Sequence, residues 1–290
     1  MKVKANAKIN LSLDVMGKRD DGYHDICMIL QEIDLCDYLD ISLNTTGKIN
    51  LTCNSPDTGR ESDNIAYKAA RLFLDKAQNG YGCDIILEKR IPVCAGLGGG
   101  SADAAAVLKA LNELCGNVFD MPTLMQMGLS LGADVPFCIM GGTAMARGIG
   151  EKLTPLHGAK PKWVVLIKPA VSISTKEAYH KMDTAPYSHP DVEKAAACIQ
   201  NGDMSGLYEA AGNCFEYVIG HEHGEIAKIK AHLMANGAEF AMMSGSGPTV
   251  YGIFDSRDDA RKAFGSYGGS YSGGGIARLV KHTGVEPRMP

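Results

Sequence analysis

Pro92-Val93-Cys94-Ala95-Gly96-Leu97-Gly98-Gly99-Gly100-Ser101-Ala102 places four glycines in five positions just ahead of a helical pattern in which Ala104, Leu108, Leu111 and Leu114 keep one phase. Unhindered backbone N–H groups at a helix N-terminus, with the partial positive charge of that end, suit an anion. The stretch therefore reads as a phosphate cradle opening a helix, with Ser101 as a natural N-cap. It lacks the lysine of a Walker loop and the acidic residue that follows a dinucleotide fingerprint. A bare structural turn is the alternative.

Working outward, Cys83 to Glu88 reads as a strand, and residues 65 to 77 carry Ile65, Ala69 and Leu72 at helical spacing after an Asp63-Asn64 start signal. Further upstream, Ile9, Leu11, Leu13 and Val15 alternate with Lys8, Asn10, Ser12 and Asp14, the period-two pattern of a half-buried strand that puts Lys8 and Asn10 on one face. Downstream, the Pro- and Gly-containing stretch from Pro155 to Lys162 precedes the apolar strand Trp163 to Ile167. This break predicts domains of residues 1–158 and 159–290. The second domain should run through helices near 175–182, 191–200, 206–219 and 223–236 and strands near 239–243 and 249–254. The stretch Gly265 to Gly275 reads as a loop before a last strand, Ile276 to Val280. Helices set against antiparallel strands give an α+β class.

Charge and composition exclude several functions. The formal net charge is -4, and no run of Lys or Arg is long enough to follow a phosphate backbone, so nucleic acid is not expected as a partner. No stretch approaches the roughly 20 apolar residues that span a bilayer, and the first twenty residues show no apolar signal core. Nine scattered cysteines without a CxxC pair read as small core hydrophobes in a reducing compartment. A soluble cytoplasmic protein without a membrane partner is expected.

Several other residues have the chemistry of a site. Lys8 on its strand could meet a phosphate or a carboxylate, although a lysine in that setting is ordinarily solvated. Asp134 lies in Leu131-Gly132-Ala133-Asp134-Val135-Pro136-Phe137, between a turn and an apolar run, as either a cap or a held base. Asp21-Gly22-Tyr23-His24-Asp25 displays a phenol beside an imidazole, suited to a heterocycle or simply a surface loop. Ser244-Gly245-Ser246-Gly247-Pro248 is a turn whose small residues would let backbone approach a ligand.

Taken in order, Ala5-Asn6-Ala7-Lys8-Ile9-Asn10-Leu11, the glycine stretch from Pro92 to Ala105, and Met243-Ser244-Gly245-Ser246-Gly247-Pro248 resemble the three motifs of the GHMP kinases. Gly17 to His24, Gly132 to Phe137, and Gly141-Gly142-Thr143-Ala144 with Gly148-Ile149-Gly150-Glu151 are similar to the branch whose acceptor is a cytidylated methylerythritol. The resemblance implies an N-terminal ribosomal-protein-S5-like domain and a C-terminal ferredoxin-like one. It implies transfer of the ATP γ-phosphoryl group to the 2-hydroxyl of the methylerythritol portion, with Asp134 as base and Lys8 as the lysine that orients it. By the same resemblance Pro92 to Ala102 hold ATP phosphates, Asn10 contacts the polyol, and Tyr23, His24 and Tyr179 surround the cytosine. Mg²⁺ is expected with ATP, though no carboxylate cluster singles out its ligands. Asn6 and Pro248 depart from the family pattern, which usually has proline and a small residue there; neither carries the chemistry.

Overall fold

In chain order the first half comprises β1 (Lys2–Lys18), β2 (His24–Asn44), β3 (Ile49–Cys53), α1 (Ile65–Ala77), β4 (Gly82–Glu88), α2 (Gly99–Leu114), α3 (Met121–Leu131), α4 (Val135–Met140), β5 (Thr143–Gly148) and β6 (Lys152–Pro155). The second half comprises β7 (Trp163–Pro169), α5 (Thr175–Met182), α6 (Val192–Gln200), α7 (Met204–Ala210), α8 (Phe215–Ile219), α9 (Gly224–Ala235), β8 (Phe240–Met243), β9 (Val250–Phe254), α10 (Arg257–Gly265) and β10 (Tyr271–Arg278). These elements come from a computed structural model, which describes every residue except 59, 158–159, 221 and 281–290. The chain forms two compact units: Met1–Lys8 with Leu35–Met140, and Ile9–Asp34 with the chain from Gly141 onward. The predicted boundary between residues 158 and 159 lies outside the described residues.

In the first unit β4 pairs antiparallel with residues 38–44 of β2 and parallel with β3. Its core joins Leu39, Ile41 and Ile85 from these strands to Phe73 of α1 and Leu108 and Leu111 of α2. α1 keeps its expected bounds, and Asn64 accepts a hydrogen bond from the Ala66 N–H; the buried stripe is Ala66, Ala69, Ala70, Phe73 and Leu74, with Ile65 and Leu72 at its half-buried edge. α2 is buried nearly all round, because Ala102, Ala104, Ala105 and Ala106 present side chains small enough for neighbours to approach on several sides. It starts two residues before the expected Ser101 cap. Gly98 takes the N-cap place at φ +67°, and the helix runs from Gly99.

In the second unit residues 26–31 of β2 pair with β5, which pairs with β6. A separate antiparallel sheet has the order β10-β7-β9-β8. Two expectations are corrected here. The helix predicted over 206–219 is two helices, because Gly212 and Asn213 leave helical geometry to meet β1: the Leu13 N–H donates to Gly212 O, and Asn213 accepts from the Phe215 N–H at the start of α8. The glycines read as a loop near 273–275 belong to β10. A Cβ at Gly274 would lie 2.3 Å from Leu166 O, so glycine is what allows the strand to pair this closely with β7.

Strand β1 also differs from a half-exposed strand. Its apolar face is buried as predicted, but so are Lys8, Asn10, Ser12 and Asp14. Buried polar groups need partners, and each has one. Lys8 faces Asp134, Asn10 Nδ2 donates to Met28 Sδ, Ser12 Oγ donates to Gly212 O, and His189 Nδ1 lies 2.9 Å from Asp14. Burial raises the Asp14 carboxyl above the ordinary aspartate range, against the pull of His189.

Candidate active site

Within the first unit, β1 carries Lys8 to the turn ahead of α4. Lys8 Nζ lies 3.5 Å from Asp134 Oδ2, with the lysine side chain 6% exposed and the aspartate 30%. Asp134 is held by its backbone: its carbonyl accepts from Cys138 N, and the next residue, Val135, donates to Gly132 O. Val135, Phe137 and Ile139 enter the core, so α4 is anchored and the carboxylate is left at its open end. Of the two readings open for Asp134, cap or held base, the geometry places it against a buried ammonium.

The glycine loop meets the same lysine. The Lys8 N–H donates to Leu97 O at 2.9 Å. A Cβ at Gly98 would come within 2.9 Å of Lys8 Cγ, so glycine is required there by space as well as by its left-handed backbone. Ala95 and Leu97 are buried and peg the loop, whereas Cys94 is exposed. The loop thus brings a cation, a carboxylate and the unpaired N–H groups at the start of a 16-residue helix to one place.

Within the second unit a different cluster gathers. The His24 ring stacks on Tyr179 with centroids 4.8 Å apart and planes 24° apart, and Tyr179 meets the edge of Phe215 at 5.0 Å. His24 Nε2–H donates to Asp183 Oδ1 at 2.7 Å, since a carboxylate only accepts, and Lys18 Nζ donates to Asp183 Oδ2 at 2.5 Å. Lys18 first, and then His24, hold the Asp183 carboxyl below the usual aspartate range. Tyr23 is not brought into this stack. It is 61% exposed, in a turn where its N–H donates to Asp21 Oδ1. Centroids 4.8 Å apart leave no gap for a base between His24 and Tyr179. A ligand ring would have to stack beside the pair.

Asn10 is fully buried and receives the Tyr251 hydroxyl on its carbonyl. The turn Ser244 to Pro248 is buried throughout, with Gly245 and Gly247 at positive φ. Asn213 Nδ2 donates to Met243 O and Gly245 O, and the hydroxyls of Thr175 and Ser246 lie 2.9 Å apart. Asn213 and Asp183 escaped sequence reasoning because each acts on residues distant in the chain. Among the described residues no group of three or more His, Cys, Asp or Glu is arranged to hold a metal ion, and no helix is long and apolar enough to cross a membrane.

Comparison with known proteins identifies the class of the chain. Residues 64–142 fit the GHMP kinases N terminal domain, and residues 195–273 the GHMP kinases C terminal domain. These matches make the protein a GHMP kinase by class, and its relatives narrow the class. The 4-diphosphocytidyl-2-C-methyl-D-erythritol kinase of Alkaliphilus metalliredigens (strain QYMF) is 43% identical over 91% of each chain. The enzyme of the same name from Clostridium novyi (strain NT) is 44% identical over 96% of this chain and 99% of its own. A crystal structure of 4-(cytidine 5'-diphospho)-2C-methyl-D-erythritol kinase superposes with a TM-score of 0.80 at 33% identity, covering 96% of this chain and 99% of that one. The chain belongs to the 4-diphosphocytidyl-2-C-methyl-D-erythritol kinase family of the GHMP kinases. Membership makes it a kinase that takes its phosphoryl group from ATP.

Proposed function

We propose that the protein transfers the γ-phosphoryl group of ATP to the 2-hydroxyl of 4-diphosphocytidyl-2-C-methyl-D-erythritol, with Asp134 and Lys8 at the reacting atoms. The observation that carries the assignment is the 3.5 Å approach of Lys8 Nζ to Asp134 Oδ2 beside Gly98. In phosphoryl transfer the protein chiefly positions the reactants and offsets charge on oxygen. The acceptor hydroxyl oxygen bonds to the γ-phosphorus, its proton passes to the Asp134 carboxylate, and the bond to the β-phosphate oxygen breaks to release ADP. Lys8 keeps Asp134 oriented and balances its charge. The backbone from Pro92 to Ala102, ending in the N–H groups that open α2, holds the phosphates. Mg²⁺ would enter with ATP and offset phosphate charge; no protein ligand is assigned to it.

Asn10 is assigned to the polyol, and His24 and Tyr179 to the cytosine, with Tyr23 at the rim of that subsite. Asp183 occupies His24 Nε2, which leaves Nδ1 as the ring nitrogen available to a ligand. The division near residue 158 is retained as an ATP-binding N-terminal domain and a C-terminal domain, supported by family matches that lie on either side of it. A cytoplasmic setting is supported by nine free cysteines. An ATP-dependent turnover assay with the cytidylated substrate, read by coupled ADP release, tests the assignment. Turnover of mevalonate or homoserine at a comparable rate would overturn it.

A further inference from the structure

The strongest buried charges outside the Lys8–Asp134 pair lie at the foot of the glycine loop. Asp37 of β2 is fully buried and Asp103 of α2 is 2% exposed. Lys89, the first residue after β4, donates from Nζ to Asp37 and, at 2.7 Å, to Asp103 Oδ2. Asp37 Oδ1 also accepts from the N–H groups of Arg90 and Ile91. Three consecutive residues, 89 to 91, are thus fixed to one carboxylate immediately before the loop begins at Pro92. The far end of the loop returns to the same point. A Cβ on Gly99 would lie 3.0 Å from Ile91 Cγ2 and 3.3 Å from Lys89 Nζ, and Asp103 follows one turn later.

We propose that Asp37, Lys89 and Asp103 are positioning residues for the nucleotide, forming a buried clamp that closes the foot of the phosphate loop and aims the first N–H groups of α2 at the triphosphate. The inference rests on the reading of that loop as the phosphate site. A surface ion pair would contribute little. Here one cation and two carboxylates share an apolar interior, where the loss of a single partner leaves an uncompensated charge. Burial works against the Lys89 charge, yet Asp103 and Asp37 together hold its pKa above the ordinary lysine value.

The clamp has a second property. Asp103 Oδ1 has no hydrogen-bond partner among the described residues. Burial pushes the Asp103 carboxyl up to about 7, opposed by Lys89 and reinforced by Asp37, the two charged groups that face it. With Asp103 protonated, Lys89 and Asp37 balance; with it ionised, one net negative charge remains beside Gly99, where phosphate is to bind. Nucleotide affinity should therefore fall as pH rises through this range.

The test measures KM for ATP, KM for the cytidylated substrate, kcat and thermal unfolding on the full chain, from about pH 6 to about pH 8.5, for wild type, Lys89→Met, Asp103→Asn and Gly98→Val. Lys89→Met should raise KM for ATP by about 10-fold with little change in KM for the acceptor. In wild type KM for ATP should climb about 3- to 10-fold across the range. Asp103→Asn, locked in the neutral shape, should lose that climb, and the titration of ATP itself cancels in the comparison. If Gly98→Val weakens ATP while both clamp variants keep the wild-type KM and pH profile, the clamp is overturned and the phosphate loop stands. If Gly98→Val leaves ATP affinity unchanged, the phosphate-loop reading fails and the clamp with it. Equal rises in both KM values with an unaltered pH profile would reduce the cluster to general support of the fold and overturn the proposal. Should Lys89→Met fail to fold, the pH profile of Asp103→Asn, which keeps the side-chain shape, decides alone.

Discussion

The Lys8–Asp134 corner and the His24–Tyr179 stack are built by opposite means. In the corner the backbone does the placing: Gly98 at positive φ, a main-chain bond from Lys8 to Leu97, and the carbonyl of Asp134 tied into α4. In the stack, side chains place one another, through ring contact and through Asp183, at the start of β2 and on a short helix. A backbone-built site tolerates few substitutions, because glycine conformations and buried charges have no near equivalents. A side-chain-built site can lose one member and be weakened rather than abolished.

The first way to break this contrast is at its most demanding point. Asp134→Asn keeps the shape but removes the proton acceptor, so kcat should fall roughly 10²- to 10⁴-fold with KM for ATP little altered. Near-normal kcat would remove Asp134 from the chemistry. Gly98→Val places a β-branched residue at φ +67° with its Cβ 2.9 Å from Lys8 Cγ. A backbone strain of about 1–3 kcal/mol at the loop should weaken ATP binding by about 10-fold or more. Isothermal titration with a non-hydrolysable ATP analogue would measure it. Unchanged affinity would show that the loop conformation is not what holds the nucleotide.

The same contrast explains what could be read from the sequence. The bounds of α1 were legible because its cap, Asn64, is local, although of Ile65, Ala69 and Leu72 only Ala69 lies on the fully buried stripe. The glycine loop was legible because positive φ and close approach restrict residue choice within a few positions. Strand β2 was not, since its residues 26–31 are buried on both faces and show no clean alternation. The clamp of Asp37, Lys89 and Asp103 was missed for a related reason: its members join β2, the end of β4 and α2. Asp103 alone left a trace, an acid within the alanine-rich first turns of α2. In the second unit, His24 stood out as an imidazole beside a phenol and Tyr179 only through family resemblance, but Asp183, which orders His24, follows Tyr179 in a segment with no distinctive pattern. That Tyr23 turns outward could not be seen from residues 21–25 alone.

A smaller effect sharpens the other side of the contrast. Tyr179→Ala removes one ring of the pair beside which a ligand base would stack, together with the support of His24, and that base would lose about 1–3 kcal/mol. KM for the cytidylated substrate should rise roughly 5- to 150-fold while KM for ATP stays near wild type. Tyr23→Ala, at an exposed position away from the stack, should fall below the lower end of that range. If Tyr23→Ala proves the more damaging, or if Tyr179→Ala acts on ATP, the cytosine subsite is misplaced.

The smallest effect expected is on stability, and its pH dependence makes it specific. Lys18, and after it His24, hold the Asp183 carboxyl below the usual range, so the folded chain binds this proton less readily than the unfolded chain does. A depressed carboxyl pKa contributes stability that is complete above the unfolded value of about 3.9 and disappears as pH falls through the folded value. Asp183→Ala should therefore melt slightly below wild type at neutral pH, and the two melting curves should converge only in the acid range below about pH 4. Salt should shrink the neutral-pH difference, because the pair with Lys18 is exposed and screened. A difference unchanged at every pH would mean that Asp183 acts through packing alone and has no electrostatic part in ordering His24.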